Sequence, residues 1–270
     1  MRTANDRILT LVLFAAFLVT GFVVPSFAQQ LLTNDSEKID FAQGLLGQAQ
    51  YSLAATQFEE FIQQFPNSTF LQEAYLGAGE CYFFLKQYDK AVDQFQKYLA
   101  QFPDGKSKGT AQVRLGQCLY LKENLDGALT QLTSIPVESL SPQFQQTLYF
   151  FKGQILAAKD NVDDASANFK AATEIADAQA YTAQAYFKWG SLIAHKDTAG
   201  ALEKYAKALE KADTDDLKAA INIKQGEAYY LLKQYDDAAE TFRKIIDAYP
   251  ALPVVTDAVA NWYTVLITQK

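Results

Sequence analysis

The sequence predicts an all-α solenoid of about six helix-turn-helix repeats, closed by a C-terminal capping helix. A small residue is followed eleven or twelve positions later by an alanine, and this pair recurs six times at intervals of 36 or 37 residues. No apolar alternation of period two indicates a strand. The repeat therefore places function on the surface of a solenoid rather than in a pocket. The six pairs are Ala42/Ala54, Gly79/Ala91, Gly116/Ala128, Gly153/Ala165, Gly190/Ala201 and Gly226/Ala238.

Residues 1–28 are predicted to be a secretory signal peptide. Arg2 and Arg7 precede an apolar run at residues 8–24, and Ser26-Phe27-Ala28 provides small residues for cleavage after residue 28. The cleaved chain would be periplasmic or otherwise extracytoplasmic, with no membrane span. The run of about 17 apolar residues is at the short limit for crossing a bilayer, so an uncleaved anchor stays open as the alternative. No cysteine lies near the cut, which argues against a lipid-modified N-terminus.

Six repeats are predicted to fill residues 29–250 as one continuous solenoid. Within each repeat, two helices can approach closely at the small residues, and large apolar residues surround that contact at helical spacing. In the second repeat these are Tyr75, Ala78, Gly79 and Tyr82 on the first helix, and Ala91, Phe95 and Tyr98 on the second. The repeats are predicted near residues 35–71, 72–108, 109–145, 146–182, 183–218 and 219–252.

Residues 253–270 are predicted to form the capping helix. Pro250 and Pro253 interrupt the chain before it, and the apolar segment that follows is long enough for one helix. Each repeat buries its apolar face only against a neighbour, so the last repeat needs a cover. Trp262 and Tyr263 are expected to supply it.

These repeats resemble the tetratricopeptide repeat family, in which Gly and Tyr stand three apart on the first helix and Ala and Phe four apart on the second. The sixth repeat matches with Gly226, Tyr229, Ala238 and Phe242, and the second matches equally well. The third and fifth depart most, since Leu132 replaces the phenylalanine and the alanine of repeat five comes one residue early. The resemblance covers residues 35–250 and implies a right-handed superhelix that binds a protein segment on the face lined by the first helices. It is similar in particular to tetratricopeptide proteins of the bacterial cell envelope, such as those linked to the Tol–Pal system or to outer-membrane assembly.

Composition and isolated residues argue against several other functions. The net charge of −7 becomes −8 without residues 1–28, and an acidic chain binds nucleic acid poorly. Cys81 and Cys118 occupy equivalent positions on neighbouring first helices, about 8–10 Å apart, which favours two buried free thiols while leaving a disulfide open. His195 has no partner for metal binding or nucleophilic catalysis. The pairs at residues 163–164 and 236–237 are expected to cap second helices. No catalytic residue, metal site or cofactor is predicted, and the oligomeric state is left open.

Projection of the repeat phase onto the first helices predicts a groove of apolar, aromatic and amide side chains. Such a surface suits a partner segment that buries a few side chains while its backbone bonds to amide groups. The competing interpretation is that part of the apolar row is packing between repeats. The predicted groove residues are Leu76, Glu80, Phe83, Phe84, Val113, Gln117, Tyr120, Phe150, Gln154, Phe187 and Tyr230.

Three functions remain open at this point. The favoured one is an exported, non-enzymatic scaffold of the bacterial envelope that binds a protein or peptide. The alternative is a membrane-anchored helper or chaperone of the secretory machinery, which retention of residues 8–24 would support. An enzyme with a site in the concavity would require a carboxylate pair or a metal dependence for which the sequence offers no residues.

Overall fold

The computed structural model describes residues 34–269, and every regular element in that range is helical. The predicted signal peptide lies outside the described residues. Thirteen α-helices and one turn of 3-10 helix, Val137–Ser139, make up the described chain. The helices are α1 (Asp35–Gly47), α2 (Tyr51–Gln64), α3 (Leu71–Phe84), α4 (Tyr88–Gln101), α5 (Lys108–Leu121), α6 (Leu125–Thr133), α7 (Pro142–Ala158), α8 (Val162–Glu174), α9 (Thr182–Ile193), α10 (Thr198–Lys211), α11 (Asp215–Leu231), α12 (Tyr235–Ala248) and α13 (Val255–Thr268).

The first twelve helices form six consecutive pairs, one for each predicted repeat, although the first helices of repeats two to six begin one to four residues before the predicted bounds. The prediction of an all-α helical repeat fold is therefore confirmed. The third repeat differs from the others because its second helix, α6, is only 9 residues long. The 3-10 turn at Val137–Ser139 follows it, and Leu140 of that connection is buried.

Contacts divide the chain into two compact units, with the boundary between Cys81 and Tyr82 in α3. In the first unit, α1 packs against α2, and Ile39, Phe58 and Phe61 are buried. Gly77 of α3 lies directly against the ring of Phe58, where a larger residue would not fit.

In the second unit, each helix from α4 to α12 packs against the next one along the chain. The first helices of successive repeats also contact one another, α5 with α7, α7 with α9 and α9 with α11. Helix α13 contacts both α12 and α11, so it occupies the place of the first helix of a seventh repeat. This stacking brings the first-helix faces of repeats three to six and of α13 to the same side of the unit.

The capping helix covers the last repeat with Trp262, as predicted, but not with Tyr263. Ala258 and Val265 are buried, and Trp262 packs against the core formed by α11 and α12. Tyr263 is 57% exposed, so the prediction that it covers the repeat is wrong. Trp262 and Tyr263 are adjacent, and successive residues of a helix point about 100° apart, so only one of them can face the core.

Four glycines of the repeat pattern face a large side chain of the second helix, and at Gly116 that side chain is Leu132. A Cβ on Gly153 would lie 2.8 Å from two ring atoms of Phe169, and one on Gly226 would lie 2.6 Å from Phe242 Cε1. Gly190 meets Tyr205 in the same way. The glycine is needed because the ring of the second helix occupies the volume that any side chain would fill.

The turn inside most repeats holds a non-glycine residue in the left-handed region. Ala49, Lys86, Glu123, Asp160 and Lys233 have φ between 57° and 62°. In each case the next residue donates its backbone N–H to a carbonyl of the last helical turn, as the amide of residue 234 does to that of residue 229 at 2.9 Å. This is the Schellman arrangement, in which glycine is the usual residue at the left-handed position.

Repeat five lacks this left-handed residue, and the spacing from Gly190 to the start of its second helix is one residue shorter than in the other repeats. Lys196 and Asp197 both donate to the carbonyl of Ile193, and no residue between α9 and α10 has positive φ. Asp197 then caps α10 by accepting from the Gly200 amide at 2.8 Å. This shorter spacing explains why Ala201 comes one residue early in the sequence.

We expect Lys233→Gly to stabilise the protein by up to about 1 kcal/mol. A left-handed conformation costs an L-residue about 1–2 kcal/mol, and glycine avoids that cost while losing more entropy on folding. Lys196→Gly is the matched control, because it changes the same residue type in the neighbouring turn, where φ is not positive. It should be neutral or destabilising. Urea unfolding of both variants measures the difference, and equal effects would contradict the assignment of strain to the turn.

Both cysteines are free and fully buried, as the favoured prediction held. Burial, with the Glu80 carboxylate as a second cause, raises the pKa of the Cys81 thiol from 9.0 to about 12. The thiolate is the reactive form of cysteine, so a buried thiol with a raised pKa reacts slowly with alkylating reagents in the folded protein. We expect no labelling by iodoacetamide at pH 8 in the folded protein and labelling of both thiols in urea without reductant. Thiols that stay unreactive in urea would indicate a disulfide.

The predicted place of the two acidic pairs at the start of second helices is confirmed, but neither pair supplies the N-cap residue of its helix. Asp163 and Asp164 lie in the first turn of α8, and Asp236 and Asp237 lie in the first turn of α12. Asn161 caps α8 by accepting from the Asp164 amide. These carboxylates interact favourably with the positive end of the helix dipole, which is a structural role.

Candidate functional site

Three of the predicted groove residues are core residues. Val113 and Gln117 are 0% exposed and Phe150 is 5% exposed, so they do not line an accessible surface. Phe150 is buried because neighbouring aromatic rings cover it. Phe150 stacks on Tyr181 with ring centroids 4.6 Å apart and meets Phe151 edge-on at 5.5 Å. The competing interpretation, packing between repeats, is the correct one for Val113 and Phe150 of the apolar row, and Gln117 of the polar row is buried as well.

The other predicted residues reach the surface to different extents. Leu76 and Glu80 are half-buried in the first unit, and Phe84 is 44% exposed in the second. The half-buried predicted residues of the second unit are Phe83, Tyr120, Gln154, Phe187 and Tyr230. The second unit therefore carries a partly exposed row of aromatic side chains along its first helices.

Arg114 of α5 organises the N-terminal part of this row. Its guanidinium carbon lies 4.7 Å from the ring centroid of Phe83 and 5.3 Å from that of Phe144, and it lies 5.8 Å from Phe84. Its Nη1 donates to Gln117 Oε1 at 3.0 Å. The sequence projection missed Arg114, although a single cation beside the apolar row was a signal that could have found it. Cation–π contacts of this kind hold the aromatic rings in fixed positions.

Two tyrosines of the row are also held in place by neighbours. Tyr120 meets Phe151 edge-on with centroids 5.3 Å apart, and burial raises the pKa of its hydroxyl, which stays protonated. Tyr230 packs on Tyr235 at 5.6 Å, and its hydroxyl lies 3.3 Å from the Thr268 hydroxyl of α13. Rigid aromatic side chains that are already ordered lose little entropy on binding, which suits them to act as anchors.

A cleft of about 430 Å³ opens between α9, α11 and α13. Its walls include the predicted groove residue Phe187 and the residue at the same repeat position in α11, Ile223. Charged and amide groups at its edge come from α11 and from the capping helix. The lining residues are Phe187, Ala220, Ile223, Lys224, Glu227, Val254, Asp257, Ala260 and Asn261.

The described part of the chain offers no constellation for catalysis or metal binding. No group of three or more His, Cys, Asp or Glu side chains between residues 34 and 269 could hold a metal ion. His195 is exposed, just beyond the end of α9 at Ile193. None of the helices in this range is both long and apolar enough to cross a membrane.

Comparison with known families decides what kind of repeat this is. Residues 26–192 match the family model described as a tetratricopeptide repeat-like domain, and residues 191–253 match a tetratricopeptide repeat model. The chain belongs to the tetratricopeptide repeat family. The two matches together span the six helix pairs of this tetratricopeptide repeat protein. A comparison with curated protein sequences finds no match.

Solved structures with the same fold include PilW, PilF and YrrB. A crystal structure of PilW, titled a widely conserved type IV pilus biogenesis factor, aligns with a TM-score of 0.68 at 16% identity over 83% of this chain and 98% of PilW. PilF of Pseudomonas aeruginosa aligns with a TM-score of 0.66 at 14% identity, over 84% of this chain and 96% of PilF. YrrB, titled a tetratricopeptide protein with an unusual peptide-binding site, aligns with a TM-score of 0.55 at 19% identity, over 75% of this chain and 97% of YrrB. These likenesses show that this tetratricopeptide repeat protein shares their fold.

Proposed function

We propose that this protein is an exported, non-enzymatic scaffold of the bacterial cell envelope that binds a partner protein segment along the first helices of its second unit. The observation that carries the proposal is the ordered row of partly exposed aromatic side chains at Phe83, Phe84, Tyr120, Phe187 and Tyr230. A row of this kind buries apolar side chains of a partner, while exposed polar groups at its edges form hydrogen bonds with the partner's backbone.

Family membership and charge support the same proposal. Tetratricopeptide proteins are generally non-catalytic scaffolds that bind protein or peptide partners. The signal-like sequence at residues 1–28 and the structural neighbour PilW, a type IV pilus biogenesis factor, favour an extracytoplasmic location. The net charge of −7 argues against nucleic acid as the partner.

We expect Phe83→Ala, Tyr120→Ala and Tyr230→Ala each to weaken partner binding by about 1–3 kcal/mol, or about 5-fold to 160-fold, because they remove ordered aromatic anchors. The partner is captured from envelope extracts of the native source by the wild-type protein and its affinity for each variant is then measured by calorimetry. Tyr263→Ala, which removes an exposed aromatic from α13, is the control and should bind normally. Circular dichroism checks the fold of every variant. Loss of fold in all three without a separable binding defect would contradict the proposed surface.

The second candidate is a membrane-anchored helper or chaperone of the secretory machinery. The apolar run at residues 8–24, preceded by Arg2 and Arg7, is the observation that favours it. Mass spectrometry of the mature N-terminus distinguishes the two candidates. A chain that starts at Gln29 supports the exported scaffold, and a retained Met1 region in the membrane fraction supports the anchored helper.

A further inference from the structure

The cleft between α9, α11 and α13 differs from the rest of the first-helix surface in its walls and its charge. The apolar side chains Phe187, Ile223 and Val254 form its walls, and three charged residues lie among its lining. Its volume of about 430 Å³ is within the range of about 300–1,000 Å³ that is usual for ligand sites.

The charges of the cleft leave one carboxylate unneutralised. Lys224 Nζ lies 2.7 Å from Glu227 Oε2, so these two side chains neutralise each other. Asp257, which faces them from α13, makes no ion pair or side-chain hydrogen bond with any residue between 34 and 269. The lining therefore carries a net charge of −1 beside an apolar wall.

We propose that this cleft is an anchor subsite for a protein segment in which an apolar side chain adjoins a lysine or arginine. The apolar side chain lies against Phe187 and Ile223, and the cation lies beside the Asp257 carboxylate. The Asn261 amide, one turn after Asp257 on the same helix, is available for a backbone carbonyl of the segment. The net charge of the whole chain, −7, favours the approach of a basic segment. This inference rests on the proposed function and names the chemistry of the partner at one end of the surface.

The cleft also explains why the capping helix has a role beyond covering the last repeat. Helix α13 contributes Asp257 and Asn261 to the lining, and Val254 directly before it contributes as well, while the buried helix residues Ala258 and Val265 face the core. One face of the helix closes the repeat array and another face completes the subsite. A solenoid without α13 would lack the carboxylate and half of the apolar wall.

The test uses three blocked dipeptides, acetyl-Leu-Arg-amide, acetyl-Leu-Gln-amide and acetyl-Leu-Glu-amide, titrated into the full-length protein and followed by NMR. We expect the arginine peptide to shift the resonances of Ile223 and Asn261 and to bind at least 5-fold more tightly than the glutamine peptide. The glutamate peptide should bind most weakly. Asp257→Asn should remove the preference for arginine and leave binding of the glutamine peptide unchanged.

Asp247→Asn is the matched control, because Asp247 is an exposed aspartate of α12 that pairs with Arg243 outside the cleft. It lowers the negative charge of the protein by the same amount and should keep the preference. Equal loss of preference in both variants would assign the effect to net charge, and tighter binding of the glutamate peptide would overturn the charge assignment. Shifts at neither Ile223 nor Asn261 with any peptide would overturn the subsite. Partner capture that still depends on Phe83 and Tyr120 would then retain the proposed function without this subsite.

Discussion

Gly226→Ala is expected to destabilise the protein by about 1–3 kcal/mol, and Gly226→Leu by more, because either side chain overpacks the interface between α11 and α12. The added Cβ would lie 2.6 Å from Phe242 Cε1 and 2.7 Å from Phe242 Cζ. Phe242 is 1% exposed, so its ring has no open space into which it can move. Urea unfolding followed by circular dichroism measures the loss.

The control for this prediction is Gly44→Ala in α1. A Cβ at Gly44 meets nothing within 4 Å, so the alanine gains helix propensity at no packing cost. It should stabilise the protein by about 0.5–1 kcal/mol. The same chemical change thus has opposite signs at the two sites.

A double variant tests whether the Phe242 ring is the cause. In the Gly226→Ala background, Phe242→Leu should cost less than it does alone, since the smaller side chain relieves the overpacking while it opens space. Residues in direct contact show coupling energies of about 0.5–3 kcal/mol. Additive effects would show that Gly226 is required for another reason.

Gln146→Leu is expected to destabilise the second unit by about 2–4 kcal/mol. Gln146 is 0% exposed, and its Nε2 donates to the carbonyls of Ala172 and Ala178 at 3.1 and 2.8 Å and to Thr182 Oγ1 at 3.0 Å. Its Oε1 accepts from the Tyr181 backbone N–H at 3.0 Å. One side chain of α7 therefore ties the end of α8 and the start of α9 together, and leucine would leave these buried groups unpaired.

Gln143→Leu is the matched control for Gln146. Gln143 is also on α7 and also bonds to the same connection, through the carbonyl of Asp177 at 3.2 Å, but it is exposed. Its replacement should change stability by less than about 0.5 kcal/mol. Hydrogen exchange at the Tyr181 amide gives a local readout, because that amide should lose protection only in the Gln146 variant. Equal unfolding free energies for the two variants would contradict the assigned role.

The helical repeat pattern was predictable because it depends on spacing within the chain. A small residue followed by an alanine, as at Gly153 and Ala165, marks a close approach of two helices in each repeat. This spacing is nearly sufficient to recognise the fold. The identity of the residue against the glycine was not predicted. Phe169, which fills that position, follows the alanine by one helical turn and also matches the pattern, so the signal was present in the sequence.

The groove was only partly predictable. Repeat phase gives the direction in which a side chain leaves its helix, and this places Val113, Phe150 and Phe187 in one row. It does not tell how much volume the neighbouring elements fill. Tyr181 stacks on Phe150 from a connection outside the repeat pattern, whereas the space beside Phe187 stays open.

Gln146 and Asp257 are two further residues whose roles the repeat pattern could not predict. The network of Gln146 closes on backbone groups of an irregular connection, and sequence periodicity carries no information about such groups. Asp257 looks like an ordinary residue of a first helical turn, where a carboxylate favours the helix dipole. Its place in the cleft follows from the packing of α13 against α11, which only the structure shows.

Site-specific photo-crosslinking in cells of the native source tests the central claim most directly. A photoreactive amino acid replaces Phe84 or Ala220 on the first-helix side of the second unit, and Lys97 or Glu240 on exposed positions of the second helices. Binding along the first helices predicts a discrete partner crosslinked from Phe84 and Ala220 and none from the other two positions. The same partner captured equally from all four positions, or only from Lys97 and Glu240, would contradict it.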